Sequence, residues 1–167
     1  MIEIDEKDIQ PVIDNLSRFS DQVTSQDILI SLAQKVKDRI YLRTMRNQDI
    51  RGKSFKPYSS KYAETKGVST GQVNLFGHGD PPRMLESMAV KMLSNDASEV
   101  YFQGFKTIGT KKKKTIRTGE LASWHNTGKA RGGKKREFFG VTNEDLNKLI
   151  AEYSSYIKNV IQERQLA

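Results

Sequence analysis

Apolar residues recur at helical spacing in three stretches of this chain and alternate with polar ones in a fourth. Ile9, Val12, Ile13, Leu16 and Phe19 predict a first helix. Asp8 can cap it, and Pro11 is tolerated in its first turn. In the second stretch Leu29, Leu32, Ala33, Val36 and Ile40 share one stripe, while Lys35, Lys37, Asp38 and Arg39 lie around the other faces. Thr24 or Ser25 is the expected cap, Asp27 adds favourable charge to the first turn, and the helix should run over 25–46. The third stretch carries Leu146, Leu149, Ile150, Tyr153, Ile157, Val160 and Ile161 behind a Thr142 cap, with Glu144 and Asp145 in the first turn. It predicts a helix over 143–165 whose stripe lies in the core. Alternation appears at Met88, Val90 and Met92, then at Val100 and Phe102 beyond the turn residues Asn95-Asp96-Ala97-Ser98. That pattern is a hairpin.

Between these elements the signals weaken. Residues 47–82 are rich in Gly, Ser, Pro and Asn, and read as loop apart from a short helix that starts near Pro57-Tyr58-Ser59-Ser60 and reaches Lys66. Pro81-Pro82 ends the loop in extended form. In 106–120, Thr107, Ile108, Thr115 and Ile116 favour strands, so this segment is either a protruding basic hairpin or a disordered loop. Residues 127–136 read as a second basic loop. The order of elements indicates an α+β fold: a small antiparallel sheet of three to four strands packed against the long helices 25–46 and 143–165. The chain of 167 residues fits one domain, with 1–24 as an N-terminal helical arm.

Composition changes the picture in two ways. Hydrophobic residues make up 36%, which permits only a thin core and suits a subunit completed by its neighbours; a flexible monomer fits as well. Net charge is +8, but residues 106–136 hold eleven Lys or Arg against the single acid Glu120, so that segment is +10 and the rest of the chain is −2. There is no cysteine, so neither a disulfide framework nor a thiolate metal site is available. The acidic start Met1-Ile-Glu-Ile-Asp-Glu lacks the pattern of a signal peptide, and no apolar run approaches the ~20 residues of a membrane span. A protein made in the cytoplasm, without membrane contact, is expected.

Catalytic signals are absent from the sequence. His78 and His125 belong to no metal-binding motif, and neither a phosphate loop, a dinucleotide fingerprint nor a nucleophile elbow occurs. The chain is therefore expected to be no enzyme, with no cofactor and no metal. Its chemistry lies in the two basic loops, through Lys106, Lys111, Lys112, Lys113, Lys114 and Arg117 in the first and Lys129, Arg131, Lys134, Lys135 and Arg136 in the second. Such clusters dock an acidic protein surface, contact DNA without reading its sequence, or stay solvated. Only Trp124 interleaves them, which argues against a stacking platform for single strands.

Residues 122–140 contain Ala122, His125, Asn126 and Gly128, then the second basic loop, then Phe138-Phe139-Gly140 ahead of the last helix. Upstream, Gly52, Phe55, Pro57, Tyr58 and Ser59 form a second motif, and Arg83-Met84-Leu85-Glu86-Ser87-Met88 a third. In this order the three motifs resemble the phage virion-morphogenesis or tail-completion family of Mu-like and related tail-joining proteins, over about residues 25–165. Phe55 stands where the family pattern has tryptophan, and no proline stands near Lys135-Arg136. The resemblance implies a structural subunit of the virion neck. It would sit in a ring of copies of itself, six being the expected number, and join the head connector on the portal side to tail-tube or terminator proteins. Contact with passing DNA is possible on this reading. A sequence-nonspecific nucleic-acid-binding module is the alternative. From the residues themselves, His125 and Asn126 are expected to bond backbone groups and fix the turn before Gly128. Gly128 and Gly140 suit positive φ or close packing, and Phe138 and Phe139 should pin a strand to the core.

Overall fold

Helix α1 (Gln26–Met45) covers one face of a hairpin made by β1 (Met88–Ser94) and β2 (Ala97–Phe102). The computed structural model describes residues 10, 14–15, 17–21, 26–73, 75, 83–108, 113–129 and 133–165. Of the expected first helix, residues 10, 14–15 and 17–21 are helical. Asp8, Ile9, Pro11, Val12, Ile13 and Leu16 lie outside the described residues, as do the cap candidates Thr24 and Ser25 and the Pro81-Pro82 pair. The α1 stripe falls as its spacing dictates. Ala33 and Ile40 are buried, Leu29, Leu32 and Val36 are half-buried, and the Leu29 carbonyl accepts a hydrogen bond from Ser98 Oγ at 2.9 Å.

In β1–β2, Met88 pairs with Phe102 and Met92 with Ser98, and the register shifts between Met92 and Ser94. A second ribbon joins β3 (Phe105–Ile108) to β4 (Lys114–Arg117), with Phe105 opposite Arg117 and Ile108 opposite Lys114. The fold is α+β, but the four strands among the described residues form two separate two-stranded ribbons where one small sheet was expected. The break has a local cause. Gly104 takes φ +80°, and Thr118, 1% exposed, ties the chain there. Its Oγ1 donates to the carbonyls of Gln103 and Gly104, and its N–H to that of Gly104. The Gln103 N–H still donates to the Ser87 carbonyl at 2.9 Å, but the carbonyls of residues 103 and 104 bond Thr118 at the start of α3 (Thr118–Thr127), and the pairing with β1 goes no further.

The core draws heavily on the segment expected to be loop. Phe55, Tyr58, Val73 and Leu75 of that segment are buried, as are Met84 and Leu85 just beyond it, and they cluster with Ile40, Met88, Ala122 and Phe138. Short helix α2 (Ser60–Lys66) lies within this segment, capped by Ser59 at its start and by Gly67 at φ +67° at its end.

The last helix, α4 (Asn143–Gln165), has the expected bounds. Thr142 Oγ1 accepts the Asp145 N–H, and Asp145 Oδ2 in turn accepts the Thr142 N–H, which closes its N-terminus reciprocally. Its burial differs from expectation. Leu149 and Val160 are buried, but Leu146, Ile150 and Ile161 are 49%, 54% and 39% exposed. The helix joins α1 largely through charge. Arg43 bonds Asp145 at 2.8 Å, Arg39 bonds Glu152 at 2.8 Å, and Lys35 bonds Glu152 at 2.6 Å. Arg43 also donates to the carbonyls of Phe138 and Gly140. These polar rungs hold α4 at one edge of its apolar stripe and leave the other edge uncovered. No helix among the described residues is long and apolar enough to cross a membrane.

Candidate functional site

The motif around His125 is helical, where a glycine-framed turn was expected. Ala122, His125 and Asn126 sit in α3, Ala122 buried at 3% exposure, and Gly128 ends the helix at φ +83°. A side chain at Gly128 would be strained by that φ and would also press on Lys135 at 3.3 Å. Gly140 meets the close-packing expectation, since a Cβ there would come 2.5 Å from Ile50 Cδ1.

Residues 133–138 pass beside the end of α3, with the Arg136 N–H on the His125 carbonyl, without forming a strand ladder. The expected aromatic strand is replaced by a side-chain latch. Asn126 Oδ1 accepts the N–H groups of Phe138 (3.0 Å) and Phe139 (3.1 Å), and its Nδ2 donates to the Phe139 carbonyl at 3.2 Å. One amide thus does the bonding that a neighbouring strand would do. Asn126 meets its expected role, but His125 meets it through its main chain, its carbonyl accepting the Arg136 N–H at 2.8 Å. The His125 ring bonds nothing at Nδ1, which is buried.

The basic residues divide between two places. On the β3–β4 ribbon Lys113, Lys114 and Arg117 are exposed and Lys106 is half-buried opposite Ile116, which favours the hairpin reading of this segment. Lys114 Nζ stands 6.0 Å from the Trp124 ring, and Phe105 beside Arg117 is 67% exposed. Lys111 and Lys112 lie outside the described residues, as do Arg131 and His78.

The second basic segment packs against residues 51–66. Lys129 and Lys135 are exposed, and Lys135 pairs with Glu137 at 2.5 Å. Lys134 Nζ donates to the Pro57 carbonyl at 2.6 Å. Arg136 was expected as a loop cation, yet it is only 6% exposed. Its guanidinium lies 5.1 Å from the centre of the Tyr58 ring, Nη2 donates to the Lys56 carbonyl at 3.3 Å, and Nε is buried without a partner. Burial alternates here, Lys135 being exposed and Arg136 and Phe138 buried, so the segment that fixes Phe138 in the core turns Arg136 inward as well.

Tyr58 carries a second cation. Lys66 Nζ donates to its hydroxyl at 2.9 Å and lies 4.8 Å from its ring centre. Burial pulls Lys66 down to about 8, with Arg136 and Arg83 acting in the same direction. His125 is held down to about 4, first by burial and then by the charges of Arg136 and Lys66. Neither Tyr62 nor Lys66 stands out as a functional residue in the sequence, and Tyr58 does so only within the Gly52–Ser59 motif. Their signal was the run of lysines through 51–66, masked by the larger charge of 106–136. Among the described residues no group of three or more His, Asp or Glu side chains gathers to hold a metal.

The His125 environment predicts a pH response. Its folded value lies below its unfolded value, so the unfolded chain takes up the proton first and stability falls as pH falls from about 6.5 towards about 4. The contribution lost by pH 4.5 is roughly 2–3 kcal/mol. Urea titrations of the wild type and His125→Gln at pH 7 and pH 4.5 should show this loss in the wild type beyond that of the variant. Equal losses would refute the buried neutral imidazole.

No family model, no curated protein and no solved structure matches this chain.

Proposed function

We propose that the chain is a non-enzymatic structural subunit of a bacteriophage neck, made in the host cytoplasm. In the virion it completes the tail and joins it to the head connector as one member of a closed ring. The observation that carries this reading is the uncovered apolar edge of α4, where Leu146, Ile150 and Ile161 stand open with Val141 close by in sequence at 45% exposure. Apolar side chains aligned along one helix and rimmed by charge suit a protein contact better than water. The occupant that fits best is a second copy of this chain. A contact between this edge and a different surface of the next copy repeats head to tail and closes by rotation. The order of the three sequence motifs supports the neck as the place of that ring. The β3–β4 ribbon, with Phe105 and Arg117 exposed together, is then the element that docks the connector or the adjoining tail protein.

The test is complementation. Phage lacking this gene should give tailless heads beside free tails in negative-stain images. The wild-type chain should restore tailed particles, and Leu146→Asp with Ile150→Asp should fail to do so while remaining folded and monomeric. Tailed particles at normal yield from that variant would remove the role given to α4.

A further inference from the structure

The two lysine-rich segments that sequence keeps far apart form one face in the fold. Lys134 reaches across to the Pro57 carbonyl, Arg136 reaches the Lys56 carbonyl, and Lys66 closes on the Tyr58 hydroxyl from the other side. We propose that this face, built from Lys56, Lys61 and Lys134 with the buried charge of Arg136 behind them, binds the phosphate backbone of duplex nucleic acid. The inference does not rest on the ring reading and can fail without it.

The partners of these cations carry the argument. Backbone carbonyls position Lys134 and Arg136 without neutralising them. A guanidinium withdrawn from water normally needs a carboxylate. Arg136 keeps only a carbonyl and an aromatic face, with its Nε unbonded. Its charge is therefore fixed in a medium that screens it poorly, and exposed Lys56 and Lys61 lie on the same segment. Among the described residues, the acids on and beside these segments are Asp49, Glu64 and Glu137, and Glu137 is already shared by Lys135 and by Arg51 at 3.6 Å.

A duplex suits this arrangement because it presents phosphates in series, and each lysine that neutralises one releases a counterion. The cations lie along two adjoining segments, which suits a row of phosphates better than a single carboxylate. No row of stacked bases is called for, since Tyr58 is buried and its ring is already flanked by Lys66 and Arg136. The face would hold a backbone and read no bases.

Fluorescence anisotropy of a labelled mixed-sequence DNA duplex, titrated with the full chain over a range of salt, tests the proposal. Log affinity should fall linearly with log salt. Lys56→Gln, Lys61→Gln and Lys134→Gln together should reduce that slope by about 2.7, at about 0.9 per phosphate contact. Lys106→Gln, Lys113→Gln and Lys114→Gln on the ribbon should leave the slope unchanged. The proposal is overturned if the first triple variant keeps the wild-type slope, if the ribbon variant is the one that loses it, or if a polyglutamate chain binds as tightly as the duplex.

Discussion

Replacing Phe138 with alanine should destabilise the protein by about 3–5 kcal/mol, the largest single-residue effect expected of the hydrophobic core. Phe138 is 0% exposed. Its ring meets Phe102 at 6.1 Å and Phe139 at 6.3 Å, both edge to face, so the substitution removes aromatic contacts as well as buried area. The backbone on both sides is fixed. Asn126 holds the Phe138 N–H, and Arg43 holds the Phe138 carbonyl at 3.2 Å. The site therefore cannot collapse around a smaller side chain, and the cost should lie towards the upper end of the range. Phe138→Leu keeps most of the volume and should cost about 1.5 kcal/mol or less. Phe105→Ala, on the exposed ribbon, should stay within about 0.5 kcal/mol. Denaturant midpoints for the three variants check the order. A Phe138→Ala protein as stable as Phe105→Ala would mean that the aromatic cluster is not the centre of the core.

The elements that sequence predicts well are those in which one periodic face meets one partner. Helix α1 has its stripe against a hairpin, and the hairpin alternates because one face is covered. Helix α4 has the same clear periodicity, and its bounds follow from it. Periodicity says that an apolar face exists, however, and not that this chain covers it. The polar rungs Arg39–Glu152 and Arg43–Asp145 place α4 so that Leu149 turns inward while Leu146 and Ile150 do not. Those pairings join residues about a hundred positions apart, and no local pattern announces them.

Two other features escaped sequence reading for different reasons. Helix α3 carries Gly119 in its first turn and sits between two basic segments, so local propensity favoured a turn. The tether from Thr118 to residues 103–104 decides otherwise. The segment 47–82 places Phe55, Tyr58, Val73 and Leu75 in the core without any period, because each enters from irregular backbone. Aperiodic burial looks like loop composition in a sequence. The cationic face came to light only with that segment in place, since its two halves meet through carbonyls of Lys56 and Pro57.

Asn126 is where the family-like motif acts, and Asn126→Ala should cost about 3 kcal/mol. The substitution strands the N–H groups of Phe138 and Phe139 and the Phe139 carbonyl. Each buried polar group left unpaired costs about 1–3 kcal/mol, and partial access of water to Phe139 keeps the sum near the lower end. Asn126→Asp separates the contributions. Its carboxylate still accepts both N–H groups, but it cannot donate to the Phe139 carbonyl, so the loss should be intermediate, about 1–2 kcal/mol. The latch also bears on the proposed neck subunit. The extended return 133–138 makes no strand ladder, so with Asn126 gone little besides the Arg136-to-His125 bond holds it to α3, and Phe138 and the start of α4 lose their placement together. Asn126→Ala should therefore raise amide exchange at Phe138, Phe139 and the first turn of α4 more than at β1–β2. Uniform exchange changes across the fold, or a stability equal to the wild type, would show that another contact fixes the aromatic pair.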